Sequence, residues 1–259
     1  MGKVLGKAEQ TELMDCLLDM GQMLLECGAE ISRVEDTLSR MAKAYGCIRV
    51  DVFVITSIIS LSLEFPREEA LTETRRIYSS GGTDYIRLEN LNRISRSCCE
   101  EPPSVAELRE RLEQTASEEK PFLMLLLGSI LAAGAFTVFF GGSLLDGLAA
   151  AIFAIGICFL QNRLEDTKIT PAGANLFLSF LTGLAVGVVC LVIPRLHMDK
   201  ILIGDIMLMI PGLAMTNAVR NILGGNTISG LVRLTESLIW AAALAGGFMT
   251  AILIIDLLL

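Results

Sequence analysis

The chain has 259 residues, of which 53% are hydrophobic and 19% charged, and its formal net charge is −8 at pH 7. Because phosphate binding needs a basic face, this acidic balance argues against nucleic acid as a partner, and it equally disfavours a polybasic anchor on a lipid surface. Residues 1–120 hold 22 of the 29 acidic and 15 of the 21 basic residues, whereas residues 121–259 are mainly apolar. The sequence therefore predicts a soluble domain over residues 1–120 and a transmembrane domain over residues 121–259.

Seven cysteines are spread through the chain without a C-x-x-C pair, and His197 is the single histidine. An odd number of irregularly spaced cysteines is not typical of a disulfide framework, and one histidine cannot supply a Cys/His metal cluster. We therefore expect reduced thiols, no metal site and no cofactor.

The first segment with helical periodicity covers residues 11–27, where apolar residues recur on one face. Gly28 suits a helix end, because glycine readily adopts the left-handed conformation found there. Ser32 and Glu35 then fit the capping-box pattern S-x-x-E, which predicts that a second helix begins there and runs to about Tyr45. The two segments predict a helical hairpin.

Residues 49–65 are rich in valine, isoleucine and phenylalanine with partial alternation, which is typical of one long strand or two shorter ones. Residues 73–79 are a further strand candidate, and residues 80–83 a turn. Residues 88–98 and 104–118 return to helical periodicity. These elements predict an N-terminal soluble domain of the α+β class.

Charged residues in this half raise the question of catalysis, namely Glu30, Arg33, Glu35, Asp36 and Asp51. Neighbouring carboxylates can act as an acid/base pair, but Arg33 and Glu35 are two positions apart on the predicted helix and do not face each other. No serine or cysteine nucleophile with a histidine base accompanies them. We therefore predict no catalytic residue, and we assign Glu30, Arg33, Glu35 and Asp51 to gating or to contact between the soluble domain and the membrane helices.

The rest of the chain contains five apolar segments. Each has about the twenty residues that are needed to cross a hydrocarbon core. They cover residues 122–140, 144–160, 171–193, 201–223 and 231–257. The third carries Gly183 and Gly187 in the GxxxG spacing that lets helices approach closely. The predicted fold class is an α-helical polytopic membrane protein with about five transmembrane helices and an N-terminal soluble α+β domain.

The short loops carry a modest charge bias that predicts orientation. With a cytoplasmic N-terminal domain, the outside loops hold Arg195 and Lys200, whereas the inside loops hold Arg163, Lys168, Arg220 and Arg233. The excess of basic residues inside favours this orientation. We therefore expect a multi-pass protein of the inner cell membrane with its N-terminal domain in the cytoplasm.

The fourth apolar segment is interrupted by Pro211 and Gly212. Proline frees a backbone carbonyl, which is tolerated at membrane depth where the backbone lines a cavity or is buried in protein, and broken helices often build transporter substrate sites. Polar residues continue over the next turns, at Thr216, Asn217, Arg220 and Asn221. We predict that these six residues line a substrate pathway, the alternative for Pro211 being a simple packing kink.

Ionisable groups in membrane segments are costly and usually functional. Asp205 and Glu236 are therefore candidates for proton coupling. Arg220 is suited to pair with a substrate carboxylate or with Glu236. The alternative is that Arg220 and Glu236 lie at the membrane interface and reach into water.

Two separated motifs resemble the threonine/serine exporter family, in particular its N-terminal half. The first comprises Gly28-Ala29-Glu30, Arg33-Val34-Glu35-Asp36-Thr37 and Arg49-Val50-Asp51-Val52-Phe53. The second comprises Pro211-Gly212-Leu213-Ala214-Met215-Thr216-Asn217-Ala218 with Arg220, then Ser229-Gly230-Leu231 and Arg233. The resemblance covers nearly the full length of the chain.

The resemblance implies an exporter of threonine, serine or related small metabolites, driven by the proton-motive force. A single arginine in the membrane segment suits an amino-acid carboxylate and a dicarboxylate such as succinate equally well. It also implies that the exporter is one long chain in some members and is split in others. We expect this chain to be the larger half of a split exporter, completed by a small membrane-protein partner.

Two other functions remain open from the sequence. One is a membrane-tethered enzyme whose soluble domain is a hydrolase, although no nucleophile motif supports it. The other is a membrane scaffold or sensor without transport. An ATP-driven pump is disfavoured, because no G-x-x-x-x-G-K-[ST] phosphate loop occurs.

Overall fold

The computed structural model describes residues 5–77, 84–117, 122–165, 167 and 169–258. Within these ranges the chain forms three strands and ten helices. Their order is α1 (Lys7–Glu26), α2 (Ile31–Ala44), β1 (Arg49–Ile55), β2 (Ile58–Glu64), β3 (Leu71–Arg76), α3 (Tyr85–Glu100), α4 (Val105–Ser117), α5 (Phe122–Phe139), α6 (Leu144–Glu165), α7 (Pro171–Val192), α8 (Met198–Met209), α9 (Gly212–Leu223) and α10 (Thr227–Leu258).

The chain divides into two compact units. Unit 1 comprises Met1–Glu119 with Leu213–Leu234, and unit 2 comprises Lys120–Gly212 with Thr235–Leu259. The N-terminal residues thus share a unit with one segment of the predicted transmembrane region. The predicted turn at residues 80–83 and the predicted domain boundary at residues 120 and 121 lie outside the described residues.

The predicted helical hairpin is confirmed as α1 and α2. Gly28 between them has φ of 85°, a left-handed backbone that favours glycine. The predicted capping box at Ser32 is wrong, because α2 begins at Ile31 with Glu30 as its N-cap. The Glu35 carboxylate instead accepts a hydrogen bond from the Val54 N–H at 3.1 Å, which ties α2 to β1.

Residues 49–65 form two strands rather than one. β1, β2 and β3 make an antiparallel sheet in that order, with Val52 opposite Leu61 and Leu61 opposite Glu73. Alternate residues of β2, including Ile59 and Leu61, are fully buried in the core of unit 1 with the apolar face of α1. This alternation is what a sheet with one solvated face requires.

The predicted helices over residues 88–98 and 104–118 are α3 and α4. α3 begins three residues earlier than predicted, because the Asp84 carboxylate accepts a hydrogen bond from the Arg87 N–H at 3.0 Å and caps the helix there. The helices, with the sheet, give unit 1 its mixed α and β character.

In the described part of the chain, four helices are long and apolar enough to cross a membrane, namely α5, α6, α7 and α10. The helices α8 and α9 form a bent pair that passes the same test together, which gives up to five spans. The predicted number of about five corresponds to this upper count.

The GxxxG spacing in α7 marks a close helix contact within unit 2, as predicted. A Cβ atom added at Gly183 would lie 2.7 Å from the Ala251 Cβ, and one at Gly187 would lie 2.5 Å from the Ile255 Cγ1. Both distances are shorter than side chains tolerate, so only glycine lets α7 approach α10 this closely.

Candidate functional site

The fourth apolar segment is broken where the sequence predicts. α8 ends at Met209, α9 begins at Gly212, and the chain bends by 50° between them. Pro211 has no N–H to donate, so the helical hydrogen-bond ladder is interrupted at this point. The break is also where the division between the two units falls.

After the break, α9 and the start of α10 form a tight hairpin within unit 1. Gly225, in the turn, has φ of 90°. A Cβ atom added at Gly230 would lie 2.5 Å from the Ile222 Cγ1 and 2.8 Å from the Ala218 carbonyl oxygen. The absence of a side chain at Gly230 therefore lets the two helices touch, which fixes how α9 presents its polar residues.

Arg220 of α9 forms an ion pair with Glu30 of the N-terminal domain, and both residues belong to unit 1. The Arg220 Nη1 donates to the Glu30 Oε1 at 2.7 Å, although the two residues are 190 positions apart. The Arg220 side chain is 60% exposed and that of Glu30 is 23% exposed. The structure therefore joins a residue predicted for gating to one predicted for the substrate pathway.

Glu30 has a second cationic neighbour, since its Oε2 lies 3.7 Å from the Arg33 Nε. The other two residues predicted for gating have local partners. Glu35 binds the Val54 N–H, and Asp51 pairs with Arg49 at 3.0 Å on the exposed side of β1. The structure therefore places Arg33 beside Glu30 but gives Glu35 and Asp51 contacts within the sheet region.

The remaining polar residues of α9 differ in exposure. Asn221 is only 3% exposed, and its Nδ2 has no hydrogen-bond partner among the residues that the structure describes. Asn217, one turn earlier on the same face, is half-buried, while Thr216 is exposed. The helix thus carries amide groups on its packed face and Arg220 on its accessible face.

Asp205 lies on α8 in unit 2 and is completely buried. Neither of its carboxylate oxygens has a hydrogen-bond partner within the described part of the chain. Its neighbour Gly204 packs against α5 so closely that an added Cβ would lie 1.9 Å from the Thr137 Oγ1. Glu236, the second residue predicted for coupling, is half-buried near the start of α10.

Sequence reasoning missed a buried carboxylate centre formed by Asp146, Ser143 and His197 in unit 2. Asp146 is fully buried and accepts hydrogen bonds from the Ser143 N–H and hydroxyl, each at 2.8 Å, and from the His197 N–H at 2.8 Å. The His197 Nδ1 lies 3.0 Å from the same carboxylate. The spacing S-x-x-D at Ser143 is a capping-box signal that could have located Asp146, whereas nothing in the sequence points to His197.

Replacing Asp146 by alanine is expected to lower the free energy of unfolding by about 1–3 kcal/mol, because the part-buried hydrogen bonds from the Ser143 and His197 N–H groups lose their charged acceptor. His197→Ala is the matched control. It removes only the ring, whose side chain is 63% exposed, and leaves the backbone hydrogen bonds intact. We expect Asp146→Ala to lose more stability than His197→Ala, which thermal unfolding of the detergent-purified variants would measure. An equal loss of stability in both variants would contradict this prediction.

Three buried thiols of the N-terminal domain are poor nucleophiles. Burial raises the pKa of Cys16 and Cys98 to about 11 and that of Cys47 to about 12. Because the thiolate is the reactive form, these groups stay inert near neutral pH. Across the described residues, no group of three or more metal-ligating side chains comes together either.

A protein-family model described as "Putative threonine/serine exporter" matches residues 15–255, which is most of the chain. The chain belongs to the threonine/serine exporter family. The match contains both motifs and every candidate residue from Glu30 to Glu236. No curated protein and no solved structure gave a match. Membership of this exporter family, together with the apolar helices, supports a multi-pass membrane transporter rather than an enzyme.

Proposed function

We propose that the chain is a subunit of a secondary exporter of threonine, serine or small carboxylates such as succinate, driven by the proton-motive force. The observation that carries this proposal is the broken helix at Pro211, followed by Arg220 on α9. Backbone groups freed by such a break can bind a polar substrate, and a guanidinium binds a carboxylate through charge-assisted hydrogen bonds. Every substrate in this class carries a carboxylate.

The proposed coupling group is Asp205. The Asp205 carboxylate is fully buried and has no hydrogen-bond partner among the residues that the structure describes. Such an arrangement is costly in a membrane segment, and carboxylates of this kind serve as proton relays in pumps and transporters. Proton uptake at Asp205 from outside and release inside would then drive substrate outward. Glu236 is the second candidate for this role.

The proposed location is the inner cell membrane, with the N-terminal domain in the cytoplasm. The bias of basic residues toward one set of loops supports this orientation. In this orientation the Arg220–Glu30 pair marks the cytoplasmic entrance of the substrate. The proposed partner is a small membrane protein that completes a split exporter, which the resemblance to the larger half of such systems supports.

Replacing Arg220 by alanine is expected to lower efflux at low internal substrate by about tenfold or more, because a charge-assisted hydrogen bond to the substrate carboxylate is lost. Cells expressing the chain with its proposed partner would be loaded with labelled threonine, serine or succinate, and efflux followed with and without an uncoupler. Arg220→Lys keeps the positive charge but loses the forked geometry of the guanidinium. Its efflux is therefore expected to lie between that of the wild type and that of Arg220→Ala.

The matched control is Arg195→Ala, which removes an exposed arginine from the loop between α7 and α8. Its efflux should equal that of the wild type when membrane levels are matched. Efflux no greater than in empty cells for the wild type, with the protein confirmed in the membrane, would instead favour a scaffold or an enzyme. Efflux that persists without the partner would reject the split arrangement.

A further inference from the structure

Glu30 occupies a position where its side chain does not cap its own helix. It is the N-cap of α2, yet it makes no side-chain capping hydrogen bond. N-cap positions favour serine, threonine, aspartate and asparagine, whose short side chains reach back to the helix N–H groups. The longer Glu30 side chain extends to Arg220 instead. A purely local structural role therefore does not account for this residue.

The contact between Glu30 and Arg220 is suited to exchange rather than to permanent attachment. A single donor of Arg220 reaches Glu30, and the Arg220 side chain is 60% exposed. Water competes for the exposed guanidinium and weakens such an ion pair, although the Glu30 side chain is itself only 23% exposed. A dissolved carboxylate is therefore able to compete for the same guanidinium.

Resting on the proposed role of Arg220 in binding substrate, we infer that the Glu30 carboxylate is an internal substitute for the substrate carboxylate. With no substrate, Glu30 neutralises Arg220. An incoming substrate carboxylate displaces Glu30 and takes over the guanidinium. The exchange replaces one carboxylate by another of the same charge, so the arginine is never left without a counter-ion.

The displaced Glu30 carboxylate has local compensation. Arg33 Nε already lies 3.7 Å from its second oxygen, and the N-terminus of α2 presents the positive end of the helix dipole to it. Glu30 is therefore able to move from Arg220 toward Arg33 without losing all of its favourable interactions. The displacement also gives selectivity, since a neutral analogue such as an amino-acid amide cannot replace the carboxylate.

The test is the concentration dependence of transport in inside-out vesicles that contain the full chain and its proposed partner, with labelled threonine, serine and succinate as probes. Removing the competing charge with Glu30→Gln is expected to lower the half-saturating concentration by about twofold to fivefold, the scale of an exposed ion pair. Arg220→Ala is expected to raise it, and the double variant should behave like Arg220→Ala alone. Asp36→Asn is the control, since Asp36 pairs with Arg40 on an exposed face of the same helix.

The outcomes separate the inference from the proposed function. An unchanged or raised half-saturating concentration in Glu30→Gln, with Arg220→Ala impaired, overturns the displacement and leaves Arg220 as the substrate group. Wild-type transport in Arg220→Ala overturns the proposed role of Arg220 itself. Rescue of transport by the charge exchange Glu30→Arg with Arg220→Glu would show a fixed structural tie, and would also overturn the displacement.

Discussion

Asp205→Asn is expected to abolish net export driven by the proton gradient while leaving exchange of labelled for unlabelled substrate in place. Asparagine has nearly the same shape as aspartate but cannot take up and release a proton. Because Asp205 is buried without a hydrogen-bond partner in the described structure, a neutral amide is accommodated there without loss of a salt bridge. Net efflux and exchange, measured in the same cells with and without an uncoupler, check this prediction.

Asp199→Asn provides the matched control on the same helix. Asp199 lies in the first turn of α8, is 68% exposed and pairs with the adjacent Lys200. Its replacement should leave both net efflux and exchange at wild-type levels. If uncoupler-sensitive net efflux persists in Asp205→Asn, Asp205 is not the coupling group, and Glu236 becomes the preferred candidate.

Gly204→Ala is expected to disrupt the packing of α8 against α5 within unit 2. The new Cβ would lie 1.9 Å from the Thr137 Oγ1 and 2.7 Å from the Ala133 carbonyl oxygen. The second contact is with backbone, which cannot turn aside as a flexible side chain can. We expect a loss of about 1–3 kcal/mol or more in the free energy of unfolding, with a lower yield of folded protein in detergent.

Gly156→Ala is the control, because a Cβ atom there meets nothing within 4 Å. Alanine is the better helix former, so this variant should be as stable as the wild type or more stable. Adding Thr137→Ala to Gly204→Ala removes the nearest atom and should recover part of the lost stability. If Gly204→Ala unfolds at the same temperature as the wild type, α5 and α8 do not pack as closely as the structure shows.

Periodicity and composition predict most of the elements of this chain. Amphipathic and apolar runs locate the helices, and the break at Pro211 follows from the chemistry of proline. The capping box predicted at Ser32 is wrong. The pattern S-x-x-E fits the sequence, but Glu30 is the N-cap, and the Glu35 carboxylate accepts a hydrogen bond from the Val54 N–H of β1. A tertiary contact therefore occupies the carboxylate that a capping box would use.

The sequence patterns did not predict contacts between distant parts of the chain. Glu30 and Arg220 were each singled out from the sequence, yet nothing in either motif pairs residues 190 positions apart. The importance of Gly204 is equally invisible, because its neighbours Thr137 and Ala133 belong to another helix. Single-sequence patterns report local structure, and these features depend on which helices meet.

The length of α10 sets a scale for the depth of its charged residues. At about 1.5 Å per residue, its 32 residues extend about 48 Å, well beyond a hydrocarbon core of about 30 Å. The 19 residues between Glu236 and Asp256 measure about 29 Å, so these two carboxylates frame a stretch that matches the bilayer. With that stretch across the bilayer, the first turns of α10 would lie in the headgroup region, together with the α9 residues packed against Gly230. Under the proposed function, Arg220 would then meet the substrate at the water boundary, before any step across the lipid.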